Sequence, residues 1–302
     1  MISDDSAASS APAETWQRIG LLVDVFKLRI GLAIGLCALV GMRLAPAGPI
    51  EPGAALGVFL AVVLASAAAG ACNHIAERDL DRRMARTWAR PFASGRFRAG
   101  PRWRLAIALL GATAVALAVA AGNVQCALYT ALGALTYGVI YTLWLKRRTP
   151  WNIVVGGLAG SFAVLAGAAA AAPALGTLPL IFTLILFLWT PPHFWSLAIA
   201  YRDDYVAAGV PMLPVIVGNA RCARTIFAAA CVLVAVSLLP AAFGLGRVYL
   251  AAAFAGGALF LWRSARLAKT PDRKSALASF HASLLQLSAV LCGALVDAAL
   301  RA

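Results

Sequence analysis

The chain has 302 residues, 62% hydrophobic and 13% charged, against about 25% charged in an ordinary soluble domain. Its net charge of +14 raises nucleic acid as a partner, but the bases are sorted by loop rather than gathered into one patch, which argues against that reading. Six scattered cysteines without a CxxC read as small buried hydrophobes, and three histidines lack metal-ligand spacing. Several apolar runs reach the ~20 residues that cross a bilayer, so the chain is a polytopic membrane protein.

Residues 1–15 are small and polar, with acids and no bases. They lack the parts of a signal peptide or a transit peptide and read as a short disordered cytoplasmic tail. Residues 16–302 read as a single transmembrane domain. Nine spans are expected, at about 24–45, 53–73, 103–121, 123–145, 152–172, 177–200, 225–244, 247–265 and 276–297. With the N-terminus in the cytoplasm, 23 of the 26 bases fall on the inner side and 3 (Arg43, Arg247 and Arg301) on the outer. That asymmetry follows the positive-inside rule. It places residues 73–102 and 201–224 on the same, cytoplasmic, side.

Residues 73–91 hold three of the twelve acids and five of the bases, directly after the apolar run Ala54 to Cys72. Asn73, Glu77 and Asp81 are four residues apart and share a face if the helix continues through them. Two carboxylates and an amide oxygen make a hard, acidic surface suited to Mg2+, which binds through one or two carboxylates plus substrate phosphates. Arg86 and Arg90 supply forked donors for phosphate oxygens. Acids for metal and arginines for phosphate read as a diphosphate site.

A second polar stretch runs from Trp189 to Pro214. Pro191 and Pro192 are expected to kink span six, with His193 and Trp195 just beyond. Asp203 and Asp204 follow at the cytoplasmic end, facing the first loop, where one of them, Asp204, is expected to help hold a second metal ion. Lys27 and Arg29 flank the first span on the same side. Lys146 ends the fourth within reach of a phosphate, and Tyr141 is placed to donate to a leaving oxygen. Ser279, His281, Ser283, Gln286 and Ser288 form a polar thread in the last span, as helix–helix hydrogen bonds require. No Walker loop, dinucleotide fingerprint, HExxH or nucleophile elbow occurs.

The series Asn73, Glu77, Asp81 followed by Met84, Arg86, Thr87, Arg90 and Pro91 resembles the first Asp-rich motif of the UbiA-type intramembrane prenyltransferases. Its ending is similar to that of their protoheme IX farnesyltransferase (haem O synthase) members. So is the second stretch, with Trp189, Pro191, Pro192, His193, Phe194 and Trp195, then Asp203, Asp204 and Tyr205. The resemblance spans about residues 24–297. It departs at Glu77, where the family more often has Asp, and at Leu28, between Lys27 and Arg29, where the family often has Pro.

The resemblance implies an all-α fold of nine membrane helices around a central cavity. It implies transfer of farnesyl from farnesyl diphosphate to the 2-vinyl group of haem b, with water addition, giving haem O. It implies Mg2+ as cofactor, a bacterial inner-membrane location, and handover to a haem A synthase or terminal oxidase assembly. His193 is the candidate haem ligand. The competing expectations are a UbiA-type enzyme for another acceptor, such as a quinone precursor, and a transporter or assembly factor. A transporter should carry ionisable groups near the midplane of several spans, whereas here they crowd one mouth.

Overall fold

The structure, a computed structural model, describes residues 11–46 and 48–300. It is built of helices. The first, α1 (Ala11–Val25), begins within the stretch 1–15 expected as a tail, of which residues 1–10 lie outside the described residues. Helix α1 meets α2 (Leu28–Leu44) at a 51° bend. The bend is at Lys27, whose φ of 48° and ψ of 42° are left-handed. The first span, expected as one helix, is therefore broken near its start, at Phe26 and Lys27 between α1 and α2. A side chain other than glycine rarely adopts this backbone unless its surroundings hold it there, and such residues gather at functional sites.

Helix α3 (Pro52–Ala76) opens with Pro52 in its first turn and Glu51 accepting the Ala54 N–H at 2.7 Å. It stops one residue short of Glu77, and one further turn, α4 (Arg78–Asp81), follows. After α5 (Pro101–Ala121), helix α6 (Val124–Leu135) passes without interruption into a ten-residue π-helix, Thr136–Leu145. Helices α7 (Asn152–Gly156) and α8 (Leu158–Ala171) make the fifth span. Helix α9 (Thr177–Ala200) carries Pro191 and Pro192 without ending. Two short helices, α10 (Arg202–Ala207) and α11 (Leu213–Val217), precede α12 (Asn219–Leu238), α13 (Arg247–Lys269) and α14 (Arg273–Ala299). Among the described residues eight spans are long and apolar enough to cross a membrane, and the bent pair brings the number to nine.

In lipid, helices gain little from hiding apolar surface from one another, and small residues that allow close backbone approach take over. At Gly41 of α2 a Cβ would overlap the Val164 carbonyl of α8, and at Gly167 of α8 one would overlap the Ala38 carbonyl of α2. The two helices therefore touch backbone to backbone. Polar cross-links do the rest: Gln286 Nε2 donates to Ser237 Oγ at 3.2 Å, Tyr249 Oη donates to the Ser237 carbonyl at 2.6 Å, and Ser196 lies 3.1 Å from Ser279. Of the polar thread in the last span, Ser279, Ser283 and Gln286 bond to neighbouring helices, while His281 and Ser288 are exposed.

Replacing Gly167 with leucine should force α2 and α8 apart. We expect destabilisation by about 1–3 kcal/mol or more, read as a lower midpoint in thermal unfolding of the detergent-solubilised protein. Glycine to leucine at the open position Gly20, where a Cβ meets nothing within 4 Å, should leave the midpoint nearly unchanged.

Candidate active site

The spans enclose a cavity of about 1150 Å3, larger than the ~300–1,000 Å3 that holds one drug-sized ligand. Most of its wall is apolar, supplied by α2, α3, α8, α9 and α14. Its polar groups include Lys27, Asn73, His74, Glu77, Asp81, Arg86, Arg90, Tyr137, Tyr141 and Lys146.

Asn73, Glu77 and Asp81 are each 2% exposed and line this cavity together. The helix break at Glu77 does not separate them. The Glu77 N–H still bonds the Asn73 carbonyl at 2.9 Å, and the Asp81 N–H bonds the Glu77 carbonyl at 2.8 Å. The four-residue register survives, and the shared face with it.

Each of the three carries its own cation. Lys27 Nζ donates to Asn73 Oδ1 at 2.6 Å and to Tyr137 Oη at 2.7 Å. Lys146 Nζ donates to Glu77 Oε1 at 2.6 Å. Arg90 donates from one nitrogen to both oxygens of Asp81, at 2.9 and 3.0 Å. Asn73 Nδ2 donates to Thr142 Oγ1 at 3.0 Å, and Thr142 Oγ1 donates to the Tyr137 carbonyl at 2.7 Å. The π-helix brings Tyr137, Tyr141 and Thr142 to this cluster, with the two tyrosine rings stacked at 5.9 Å. Such helices are rare and are frequently found at functional sites.

Burial alone would raise the Glu77 carboxyl, but the charges of Lys146, Lys27 and Arg90 and the Lys146 hydrogen bond hold it below its ordinary value. Burial alone would lower the Lys146 amine, and Glu77 holds it above. Arg90 is likewise raised by Asp81 against the effect of burial. All three stay ionised around neutral pH.

Of the other expected residues, Arg29, Arg86, Tyr141 and His193 line the cavity. Asp203, Asp204 and Trp195 do not line it. Asp203 is exposed. Asp204 accepts the backbone N–H groups of Ala85 and Arg86 at 3.0 and 3.1 Å, so it clamps the loop that carries Arg86. Trp195, 3% exposed, packs with Leu80 and Met84. It is two residues beyond His193, about 200° around the helix, which turns it away from the wall that His193 lines. Thr142 and His74 were not anticipated. His74 is 2% exposed and its Nδ1 has no hydrogen-bond partner among the described residues. An isolated histidine or threonine in an apolar run carries no spacing signal.

A family model for UbiA prenyltransferases matches residues 34–289. The chain belongs to the UbiA prenyltransferase family. Protoheme IX farnesyltransferase 2 of Paramagnetospirillum magneticum (strain ATCC 700264 / AMB-1) is 54% identical over 277 residues, covering 92% of this chain and 96% of that one. Among solved structures, a digeranylgeranylglyceryl phosphate synthase superposes with a TM-score of 0.76 at 19% identity, covering 93% of this chain and 99% of the other. A UbiA homolog from Archaeoglobus fulgidus bound to DMAPP and Mg2+ superposes with a TM-score of 0.67 at 16% identity, covering 89% and 98%. These likenesses establish the all-α membrane fold.

The donor set fits Mg2+. Asn73, Glu77 and Asp81 offer only oxygen, two of the three are carboxylates, and all face one cavity. Among the described residues no three His, Cys, Asp or Glu side chains converge, so the protein alone offers an open set that phosphate oxygens would complete.

The Glu77–Lys146 pair sets a pH window. A lowered carboxylate stabilises the fold fully above its unfolded value, about 4.3, and loses this as pH falls through its folded value. A raised lysine contributes fully below about 10.4 and loses this as pH rises through its folded value. Glu77→Gln should leave Lys146 buried without its partner, at a cost of about 3–5 kcal/mol. Unfolding midpoints measured from pH 3 to 11 should show the variant below the parent between about pH 5 and 10, with the gap closing toward acid.

Proposed function

We infer that the chain transfers the farnesyl group of farnesyl diphosphate to the 2-vinyl group of protoheme IX, giving haem O and diphosphate. The observation that carries the chemistry is the row of three oxygen side chains, each paired with a cation, opening into a large apolar cavity. The 54% identity to a protoheme IX farnesyltransferase over nearly the whole chain supports the acceptor.

In this reading Asn73, Glu77 and Asp81 hold Mg2+. Bound there, the ion supplies positive charge that stabilises the diphosphate as a leaving group. Lys146, Arg90 and Lys27 rest on the ligand oxygens; an arriving diphosphate gives Lys146 and Arg90 a second anionic partner and gives Lys27, now held by neutral oxygens, its first. Arg86, held by the Asp204 clamp on its loop, adds a fourth cation, and Arg29 stands near the same mouth. Tyr141 donates toward the leaving oxygen. These donors are fixed before the reaction begins, so they stabilise developing charge with little reorganisation.

The C1–O bond of farnesyl diphosphate breaks and its electron pair leaves with the diphosphate. The vinyl group forms the new bond to C1, water adds at the other vinyl carbon, and one proton is lost. The apolar wall keeps water from the allylic cation until the vinyl group attacks.

The protein is a multi-pass membrane protein. In this account it lies in the bacterial inner membrane, with its N-terminus and the 73–102 and 201–224 loops in the cytoplasm, as the distribution of bases supports. Haem O would pass to a haem A synthase or a terminal oxidase assembly.

Purified protein incubated with farnesyl diphosphate, haem b and Mg2+ should yield hydroxyethylfarnesyl haem by mass spectrometry, and EDTA should stop it. Asp81→Asn should lower turnover by about 100-fold or more while the variant still elutes as folded protein. Consumption of farnesyl diphosphate only when 4-hydroxybenzoate replaces haem b would identify a quinone precursor as the acceptor instead.

A further inference from the structure

His193 lies on α9, 5% exposed, in the cavity wall. Its ring sits between two others: Trp189, with centroids 4.0 Å apart and planes at 20°, and Phe280, at 4.4 Å and 26°. Both faces of the imidazole are covered. The ring has no face left to stack on a planar substrate, and only its edge meets the cavity.

One serine of α14 fixes this arrangement. Trp189 Nε1 donates to the Ser283 carbonyl at 2.8 Å. His193 Nδ1 lies 2.7 Å from Ser283 Oγ. A serine hydroxyl has one proton to donate, and Ser283 gives it to the Phe280 carbonyl at 2.6 Å. The contact with His193 therefore runs from the ring: Nδ1–H donates and Oγ accepts. In the neutral imidazole, the predominant form of an ordinary histidine at pH 7, Nε2 then keeps its lone pair. Among the described residues Nε2 has no hydrogen-bond partner, and His193 lines the cavity.

We propose that His193 Nε2 is the axial ligand to the iron of the haem acceptor, and that Ser283 is the residue that positions it. This rests on the reading of haem b as acceptor. A neutral imidazole, held through one nitrogen and open at the other, is how proteins present histidine to a metal. The dative Fe–N bond uses the lone pair already on Nε2, so no proton is released. Ligation would also anchor the macrocycle at one point of a cavity whose wall is otherwise mostly apolar, limiting the orientations in which a vinyl group can meet C1 of the farnesyl chain.

The test is titration of haem b into the purified full-length protein, read by absorbance, electron paramagnetic resonance of the ferric form and the Fe–N(His) stretch of the ferrous form. The parent should show a histidine-ligated iron. His193→Ala should lose that signature, and added imidazole should restore it. Ser283→Ala should keep the signature and weaken haem binding by about 10–100-fold. Binding of Mg2+ with inorganic diphosphate, measured by calorimetry, should be unchanged in both variants and serves as the control for folding. An iron signature unaltered by His193→Ala overturns the assignment, and it does so even if turnover falls, since His193 would then act on a proton. A parent that binds no haem overturns the acceptor reading and the ligand assignment together.

Discussion

Two carboxylates buried four residues apart on one helix face repel each other, and the rest of the site answers that repulsion. Lys146 sits on Glu77, Arg90 on Asp81 and Lys27 on Asn73. The three cations come from three separate places in the chain: the end of the π-helix, the loop after α4, and the bend between α1 and α2. Neutralising the two acids ties the π-helix end and the loop after α4 to one point, and the Lys27 hydrogen bond to the neutral Asn73 amide brings the bend there too. The left-handed backbone at Lys27 makes sense in this setting, because its amine bridges Asn73 and Tyr137.

The same arrangement prepares the site for a polyanion. A carboxylate that holds a lysine in one state and a metal in another lets the lysine turn to phosphate without passing through an unpaired buried charge. Unpaired buried charges are costly, so exchange of partners is the favourable route. Behind this polar mouth the cavity is apolar, which suits two lipophilic substrates and keeps water from a cationic intermediate.

Much of this was legible in the sequence, because it rests on short-range periodicity. Acids four residues apart announce a shared helix face, and apolar runs of membrane length announce spans. What escaped was set by long-range packing. Asp203 and Asp204 stood out only as acids at the cytoplasmic end of span six; that Asp204 accepts from the backbone of Ala85 and Arg86 depends on two segments more than a hundred residues apart. Trp195 looked like a site residue because it neighbours His193, yet helix phase turns it into the core. The π-helix, which brings Thr142 to Asn73, has no signature in hydropathy. Ser283 was visible only as one member of a polar thread; its double hold on Trp189 and His193 depends on how α9 and α14 pack.

In the proposed reaction the ligand oxygens and their resident cations exchange partners when substrate arrives. The direct measurement is calorimetric titration of Mg2+ into the protein with and without inorganic diphosphate. If Lys146, Arg90 and Lys27 move to phosphate, diphosphate should tighten Mg2+ binding beyond the affinity of the two for each other in solution, by about 5–150-fold. Lys146→Gln, which frees Glu77, should tighten Mg2+ binding without diphosphate and reduce that gain. Mg2+ affinity that is the same with and without diphosphate, and unmoved by Lys146→Gln, would contradict the account.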